Sequence, residues 1–372
     1  MLNISFITGT RADYGKIKPI IDYLLHKKKF KIYLFVTGMH LYKKYGKTIN
    51  LLIKDYGTKC TIIKNCEKVS DSTTSRMLNV IKYYERHLLK DKIDYVFVHG
   101  DRPDALGAAL AASFNNIPIC HMEAGELSGS IDEVLRHSIS KLAQKFFVSD
   151  NNAKTVLIQL GENKKDIHVL GEPSLANLEQ KSSPSFKIPF SKYGILSYHP
   201  VTTDEPQHIS AEIKGIMSEL LKSKMDYVVI LPNNDKYHEI ILQEYKAYRN
   251  NRHFKFYPSL PFETFTNTMK RACFLIGNSS CAIKEAPYYN LPAIDIGCRQ
   301  QGRYTHLNFP FLYHLNSYQG ISKTIAKISP HVCHFDHKKY RAKLFKRLDQ
   351  IITNDFFHPP IQKKFYKRKH NV

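Results

Sequence analysis

The sequence predicts an α/β protein built as two Rossmann-like, doubly wound halves. Three observations predict it. Short apolar runs rich in Val, Ile, Phe and Tyr alternate with longer segments of helical periodicity. The runs are apolar on both faces, as strands inside a helix-covered parallel sheet must be. The alternation also stops once, in the aperiodic stretch "EQKSSPSFKIPFSKYG", before starting again. Length agrees, because 372 residues exceed what a single core usually holds.

Taken in order, "ISFIT", "KIYLFVT", "DYVFVHG", "IPICHM" and "KFFVS" are the strands expected in the first half, separated by helical stretches such as "YGKIKPIIDYLLHKK". After the break come "YGILSYHP", "YVVILPNND", "CFLIGNSS" and "PAIDIG". The last helix, "HKKYRAKLFKRLDQIIT", is amphipathic and is expected to pack back across the first half. The expected boundaries are therefore a first domain at 1–178, a linker at 179–192, a second domain at 193–335, a returning helix at 336–356 and a basic tail at 357–372.

Composition excludes several classes. The longest small-apolar run, "ALGAALAASF", is about half of what spans a bilayer. The chain opens directly on "NISFITG" without a secretory pattern, so a cytoplasmic protein with no membrane partner is expected. Seven scattered cysteines, never spaced C-x-x-C, read as reduced thiols rather than a disulfide framework or zinc ribbon. The net charge is +22, and the last 36 residues hold eleven basic side chains against Asp349 and Asp355. With no nucleic-acid module beside it, that tail reads as a solvated, frayed terminus, and no nucleic-acid partner is expected. The body stays basic and suits an anionic substrate.

Polar or Gly-rich signatures follow nearly every expected strand: "GTRADYGK", "GDR" and "HMEAGE", then "HPVTT", "PNND", "GNSS" and "GCRQQGR". Parallel sheets bind ligands beyond the carboxyl ends of their strands, so these turns are expected to converge on one cleft. The first is not a Walker A loop: five residues separate Gly9 from Gly15-Lys16, and Ile17 replaces the hydroxyl residue. No G-x-G-x-x-G follows a strand either. What remains is a turn at a helix N-terminus with Arg11 and Lys16 close by, able to hold an anion. Lys16 otherwise reads as an ordinary exposed helix residue. "GNSSCAIKEA" offers a second such turn, where Ser279 and Ser280 face phosphate and Glu285 accepts from ribose hydroxyls, unless one serine is simply an N-cap.

In "HMEAGELSGSIDEVLRH", Ser130 and Glu133 fit a capping box, and Asp132 takes the second helical position, where a macrodipole favours an acid. Glu123, ending a buried strand beside His121, has no routine structural duty. With Asp101 at the end of the neighbouring strand, the carboxylates Asp101, Glu123 and Asp132 read as acid/base machinery aimed at one mouth. "HVCHFDH" at 331–337 spaces imidazoles like metal ligands, but lies away from the converging turns, and no metal is expected.

These motifs, from "FITGTRADYGKIKPI" through "VTGMH", "VHGDR", "SGSIDEVLRHSISKLA", "LGE", "YHPVTT", "PNND" and "IGNSS" to "GCRQQGR", resemble the hydrolysing UDP-N-acetylglucosamine 2-epimerases of sialic and legionaminic acid biosynthesis. The resemblance implies a two-domain fold of the glycosyltransferase-B type with a cleft, no cofactor, a UDP-sugar substrate, and a homodimer or homotetramer. It implies elimination of UDP to a glycal, followed by hydration with inversion at C2. It implies Asp101, Glu123, Asp132 and His199 as catalytic residues. For substrate binding it implies Arg11, Lys16, Arg102, Arg136, His137, Asn233, Ser279, Ser280, Glu285, Arg299 and Arg303. One departure is "HMEAGE" where the family commonly has "HIEGGE"; the extra methyl of Ala124 is expected near the sugar pocket. A 4-acetamido-6-deoxy UDP-sugar and a glycosyltransferase of the same fold are the alternatives.

Overall fold

A computed structural model describes all residues except 66–71, 129–130, 178–187, 234, 259, 261, 301–302, 304–308, 330–333 and 367–372. The chain divides into two compact units, one of residues 1–126, 132–177 and 337–372, the other of 127–131 and 178–336. The expected linker falls largely, and the last part of the basic tail wholly, outside the described residues.

The first unit carries a parallel sheet of β1 (Leu2–Thr8), β2 (Phe30–Val36), β3 (Thr61–Lys64), β4 (Tyr95–His99), β5 (Ile119–Met122), β6 (Lys145–Val148) and β7 (Ile167–Val169), in the order β3-β2-β1-β4-β5-β6-β7. The second carries β8 (Tyr193–Ser197), β9 (Asp226–Ile230), β10 (Phe254–Tyr257), β11 (Phe274–Gly277), β12 (Ala293–Ile296) and β13 (Leu312–Leu315), in the order β10-β9-β8-β11-β12-β13, again parallel. Both are Rossmann-like α/β sheets, the pair of domain types that makes up the glycosyltransferase-B fold. In each the strand order reverses once, between β1 and β4 and between β8 and β11, and such a switch point is where an open parallel sheet leaves room for a ligand.

The central strands are buried on both faces because helices cover both sides. In the first unit, Phe6 and Phe97 face one apolar layer with Ile20 and Leu24, while Phe35 and Val98 face the other with Tyr84 and Ala109. Helix Arg11–His26 starts at Thr10 through a capping box: the Asp13 amide donates to the Thr10 hydroxyl, and the Thr10 amide donates back to the Asp13 carboxylate at 2.9 Å.

Residues 337–372 return to the first unit. Leu344 and Leu348 of helix His337–Ile351 join its core, His337 Nδ1 hydrogen-bonds the Leu175 carbonyl at 2.8 Å, and Arg341 pairs with Asp22 at 3.2 Å. The described part of the tail, up to residue 366, differs from the frayed terminus expected of its charge. Lys363 Nζ lies 2.7 Å from both Glu162 and the Ser140 carbonyl, and the Tyr366 amide donates to Gly161 at 3.0 Å. The cause is Glu162, a carboxylate only 3% exposed that needs cations, which Lys141 and Lys363 supply.

The first unit also buries neutral imidazoles. Burial pushes His121 down to about 3 and His40 to about 4, against an ordinary 6.5. Below pH 6.5 the unfolded chain takes up protons that these folded imidazoles refuse. Stability is therefore expected to fall as pH drops from about 6.5 towards 4. Hydrogen exchange in β1, β4 and β5, corrected for intrinsic rates, checks this; protection that is flat across the window would contradict it.

Candidate functional site

In the first unit, the site grows from the turns after β1, β4 and β5. Glu123 follows β5 directly and holds φ = 58°, a left-handed conformation that a side-chain-bearing residue adopts at a cost. Gly125, at φ = 76°, completes the turn; a Cβ there would stand 2.2 Å from the Ala153 carbonyl, so only glycine fits. The turn thereby lifts the Glu123 carboxylate off the strand end while Ala124 points the other way. Ala124 is fully buried in the apolar layer with Val98, Ile139 and Phe146. This corrects the expectation that its methyl lies near a sugar pocket: it fills core.

Lys16 is not the ordinary exposed helix residue that its position allowed. It is 9% exposed and its ammonium is hydrogen-bonded to Glu123 Oε1, with Glu172 3.9 Å away. The other Glu123 oxygen, Oε2, lies 3.4 Å from His99 Nε2, and His99 Nδ1 lies 3.6 Å from Asp13 Oδ1. Burial works against a charged His99, but Glu123 and Asp13 outweigh it and raise its pKa above the ordinary value. Burial would raise Asp13, but His99 and Arg102 hold it below the usual carboxylate range. Asp104 behaves oppositely: burial pushes it up against the pull of Arg102. A cavity opens beside Lys16, His99 and Glu123, walled by Phe147, Leu170 and Pro173.

The first turn holds a carboxylate of its own helix. The amides of Gly9 and Thr10 donate to Asp13 Oδ2 at 3.3 and 2.9 Å. Arg11, first residue of the helix, is half-buried.

Asp101 is ion-paired to Arg136, whose guanidinium is wholly buried and also donates to the Glu126 carbonyl at 2.9 Å. His121 supports the same turn, with Nε2 2.8 Å from the Gly100 carbonyl and Nδ1 2.9 Å from the Ser140 hydroxyl. Asp132 is the second residue of helix Ile131–Leu142, as expected from its spacing; Ser130, the expected cap, lies outside the described residues. His137 Nε2 stands 3.9 Å from Glu133, and burial lowers its pKa. Arg102 is the residue before helix Pro103–Phe114. Asp101 and Glu123 thus each carry a cationic partner.

In the second unit the switch point is stapled by a residue that motif reading passed over. Asn278 accepts from the His199 amide and donates to the His199 carbonyl, both at 2.7 Å. Gln300 and Arg299 donate to the Asn278 carbonyl at 2.8 and 3.3 Å, and Arg303 donates to Gln300 at 2.7 Å. The Asn233 amide donates to His199 Nδ1 at 3.4 Å. Gly277, at φ = 134°, lets β11 approach: a Cβ would stand 2.0 Å from the Ser197 carbonyl. Ser280 occupies the cap position of helix Cys281–Lys284 but makes no side-chain cap bond, and Ser279 accepts from Cys281 Sγ at 3.1 Å. That helix has four residues, so little dipole stands behind the serines. Glu285, at its end, is 7% exposed. In "HVCHFDH", residues 331–333 lie outside the described residues and His337 is spent on Leu175; no group of three His, Cys, Asp or Glu able to hold a metal occurs among the described residues. Among them, no helix is long and apolar enough to cross a membrane.

Comparison with known proteins agrees with this geometry. The family model described as UDP-N-acetylglucosamine 2-epimerase matches residues 23–345. A UDP-N-acetylglucosamine 2-epimerase of Neisseria meningitidis is 39% identical over 317 residues, 82% of each chain. A hydrolysing UDP-N,N'-diacetylbacillosamine 2-epimerase of Legionella pneumophila is 30% identical over 312 residues, 81% of this chain and 82% of that one. The crystal structure of Methanocaldococcus jannaschii UDP-GlcNAc 2-epimerase, in complex with UDP-GlcNAc and UDP, superposes with a TM-score of 0.76 at 18% identity over 94% of this chain and 100% of that one. A strand-end carboxylate in a left-handed turn, an ion-paired acid at the neighbouring strand and a stapled second switch point therefore sit in a chain that belongs to the UDP-N-acetylglucosamine 2-epimerase family.

Proposed function

We propose that the protein is a hydrolysing UDP-sugar 2-epimerase that converts UDP-N-acetylglucosamine and water to UDP and N-acetylmannosamine, for sialic acid biosynthesis. The C2 proton is weakly acidic, so a placed carboxylate must remove it as UDP departs, giving a 2-acetamidoglycal; water then adds with inversion at C2. Glu123 and Asp132 are the candidate bases, with Asp101 and His199 beside them in the reaction. Arg11, Lys16, Arg102, Arg136 and His137 in the first unit, and Asn233, Ser279, Ser280, Glu285, Arg299 and Arg303 in the second, are proposed to bind the UDP-sugar, the basic ones offsetting charge on the leaving diphosphate. In this reading the enzyme needs no metal or NAD and works in the cytoplasm as a homodimer or homotetramer.

The observation that carries the reading is the Glu123 turn: a carboxylate held at φ = 58° and in hydrogen-bonded contact with Lys16 has a conformation that packing alone does not call for. The relatives described as hydrolysing, from Legionella pneumophila at 30% identity and Campylobacter jejuni at 28%, support the subtype. Because both act on diacetylbacillosamine sugars by name, the second reading is the same chemistry on UDP-2,4-diacetamido-2,4,6-trideoxyglucose, for legionaminic acid. A UDP-dependent glycosyltransferase is the more distant reading.

Turnover of each UDP-sugar in deuterated water tests these. The expected product is UDP plus a free sugar inverted at C2 and carrying deuterium there, seen by proton NMR. Protium at C2 with retained configuration would sink the epimerisation, and inversion with UDP still attached would sink hydrolysis. A preference for the diacetamido sugar would favour the second reading.

A further inference from the structure

We propose that His99 is a positioning residue for Glu123: its imidazole, bridging Asp13 and Glu123, fixes the Glu123 carboxylate and keeps it ionised for its work at C2. The inference rests on the reading in which Glu123 is a base.

The geometry argues for a doubly protonated ring. Nε2 faces Glu123 Oε2 at 3.4 Å and Nδ1 faces Asp13 Oδ1 at 3.6 Å. Both are ion-pair rather than hydrogen-bond distances, so what they favour is charge: an imidazolium is attracted to both carboxylates at once, and a neutral ring to neither as an ion. The cluster is largely withdrawn from water, His99 being 7% and Lys16 9% exposed, so two carboxylates flanking the ring act on it with little screening.

Each member is also fixed by something other than its neighbour. Asp13 is pinned by the amides of Gly9 and Thr10 as half of a helix cap. His99 is the last residue of β4, paired in register with Met122 of β5, one residue before Glu123. Lys16 and Asp13 lie on the same helix, so Glu123 Oε1 and Oε2 are held from two sides by elements that do not move independently. Other charged groups around this cluster are Arg102 and Asp104 near Asp13, His121 on β5, which burial keeps neutral, and Glu172 behind Lys16. His99 does not reach the reacting carbon in this proposal; it acts through Glu123.

His99→Gln keeps a donor near Glu123 but removes the charge, and His99→Ala removes both. In His99→Ala, kcat is expected to fall by up to roughly 10²-fold with KM little changed, because the lost item is alignment rather than substrate binding. His99→Gln should recover part of that loss. In both, the acid limb of the kcat/KM profile should move to higher pH, because a carboxylate deprived of a neighbouring cation is protonated more easily. A merely structural histidine would lower activity without moving that limb. Nitrogen-15 NMR of the unliganded wild-type chain tests the ring without any variant: both His99 nitrogens are expected to be protonated at pH 7. A neutral ring at pH 7, or full turnover with an unmoved acid limb in His99→Gln, would overturn the inference. Full turnover in Glu123→Gln would instead remove the base reading on which it stands, and the NMR result would still report the bridge.

Discussion

Glu123→Gln is expected to lower turnover by roughly 10²–10⁴-fold, the usual worth of a general base, while UDP binding survives. The amide keeps the shape and the left-handed turn but cannot take a proton. It also leaves the ammonium of Lys16, which is 9% exposed, facing a neutral amide in place of a carboxylate. A lowered melting temperature is therefore expected alongside the kinetic loss. Calorimetry with UDP separates the two effects: a folded variant that binds UDP normally and turns over slowly fits a base. Asp132→Asn, on a half-buried helix position, should show a comparable kinetic loss without that change in melting. Full activity in both would sink the choice of base and leave the family untouched.

Arg136→Ala is expected to destabilise the first unit by about 3–5 kcal/mol, the cost of removing one partner from a buried ion pair. Arg136 is 0% exposed, pairs with Asp101 and holds the Glu126 carbonyl, so its removal leaves a charge, an acceptor and a void together. Arg136→Met refills much of the void without restoring the charge and should recover part of the loss. Urea unfolding of both variants checks this. If Arg136 is chiefly a substrate contact, Arg136→Ala will unfold like wild type and change only KM.

The strands that sequence reading located are the central ones. The four it missed, β3, β7, β10 and β13, are the four edges of the two sheets. An edge strand is half-exposed, as in the pattern of Thr61–Lys64 or Leu312–Leu315, so it carries no continuous apolar run to find. The site divides similarly. The place of Glu123, directly after a buried strand, was legible from the apolar run that precedes it. Asn278 was not, because its role is to bond backbone groups of a residue 79 positions away. The contact of Lys16 with Glu123 was not legible, since sequence spacing does not reveal that two residues 107 positions apart meet. Ala124 was misplaced because which way a turn residue points depends on φ at its neighbour.

The discontinuity of the first unit bears on the order in which the protein is made. Its sheet is synthesised early, but Phe356 and Phe357, which pack on Phe97 and Tyr95, and Leu344 and Leu348 beside them leave the ribosome only after the second unit. The second unit lies almost entirely within residues 178–336 and so can complete its own core first. Until residues 344–357 emerge, the nascent first unit has part of its apolar layer uncovered, the state in which chaperones recognise a chain and in which aggregation competes with folding.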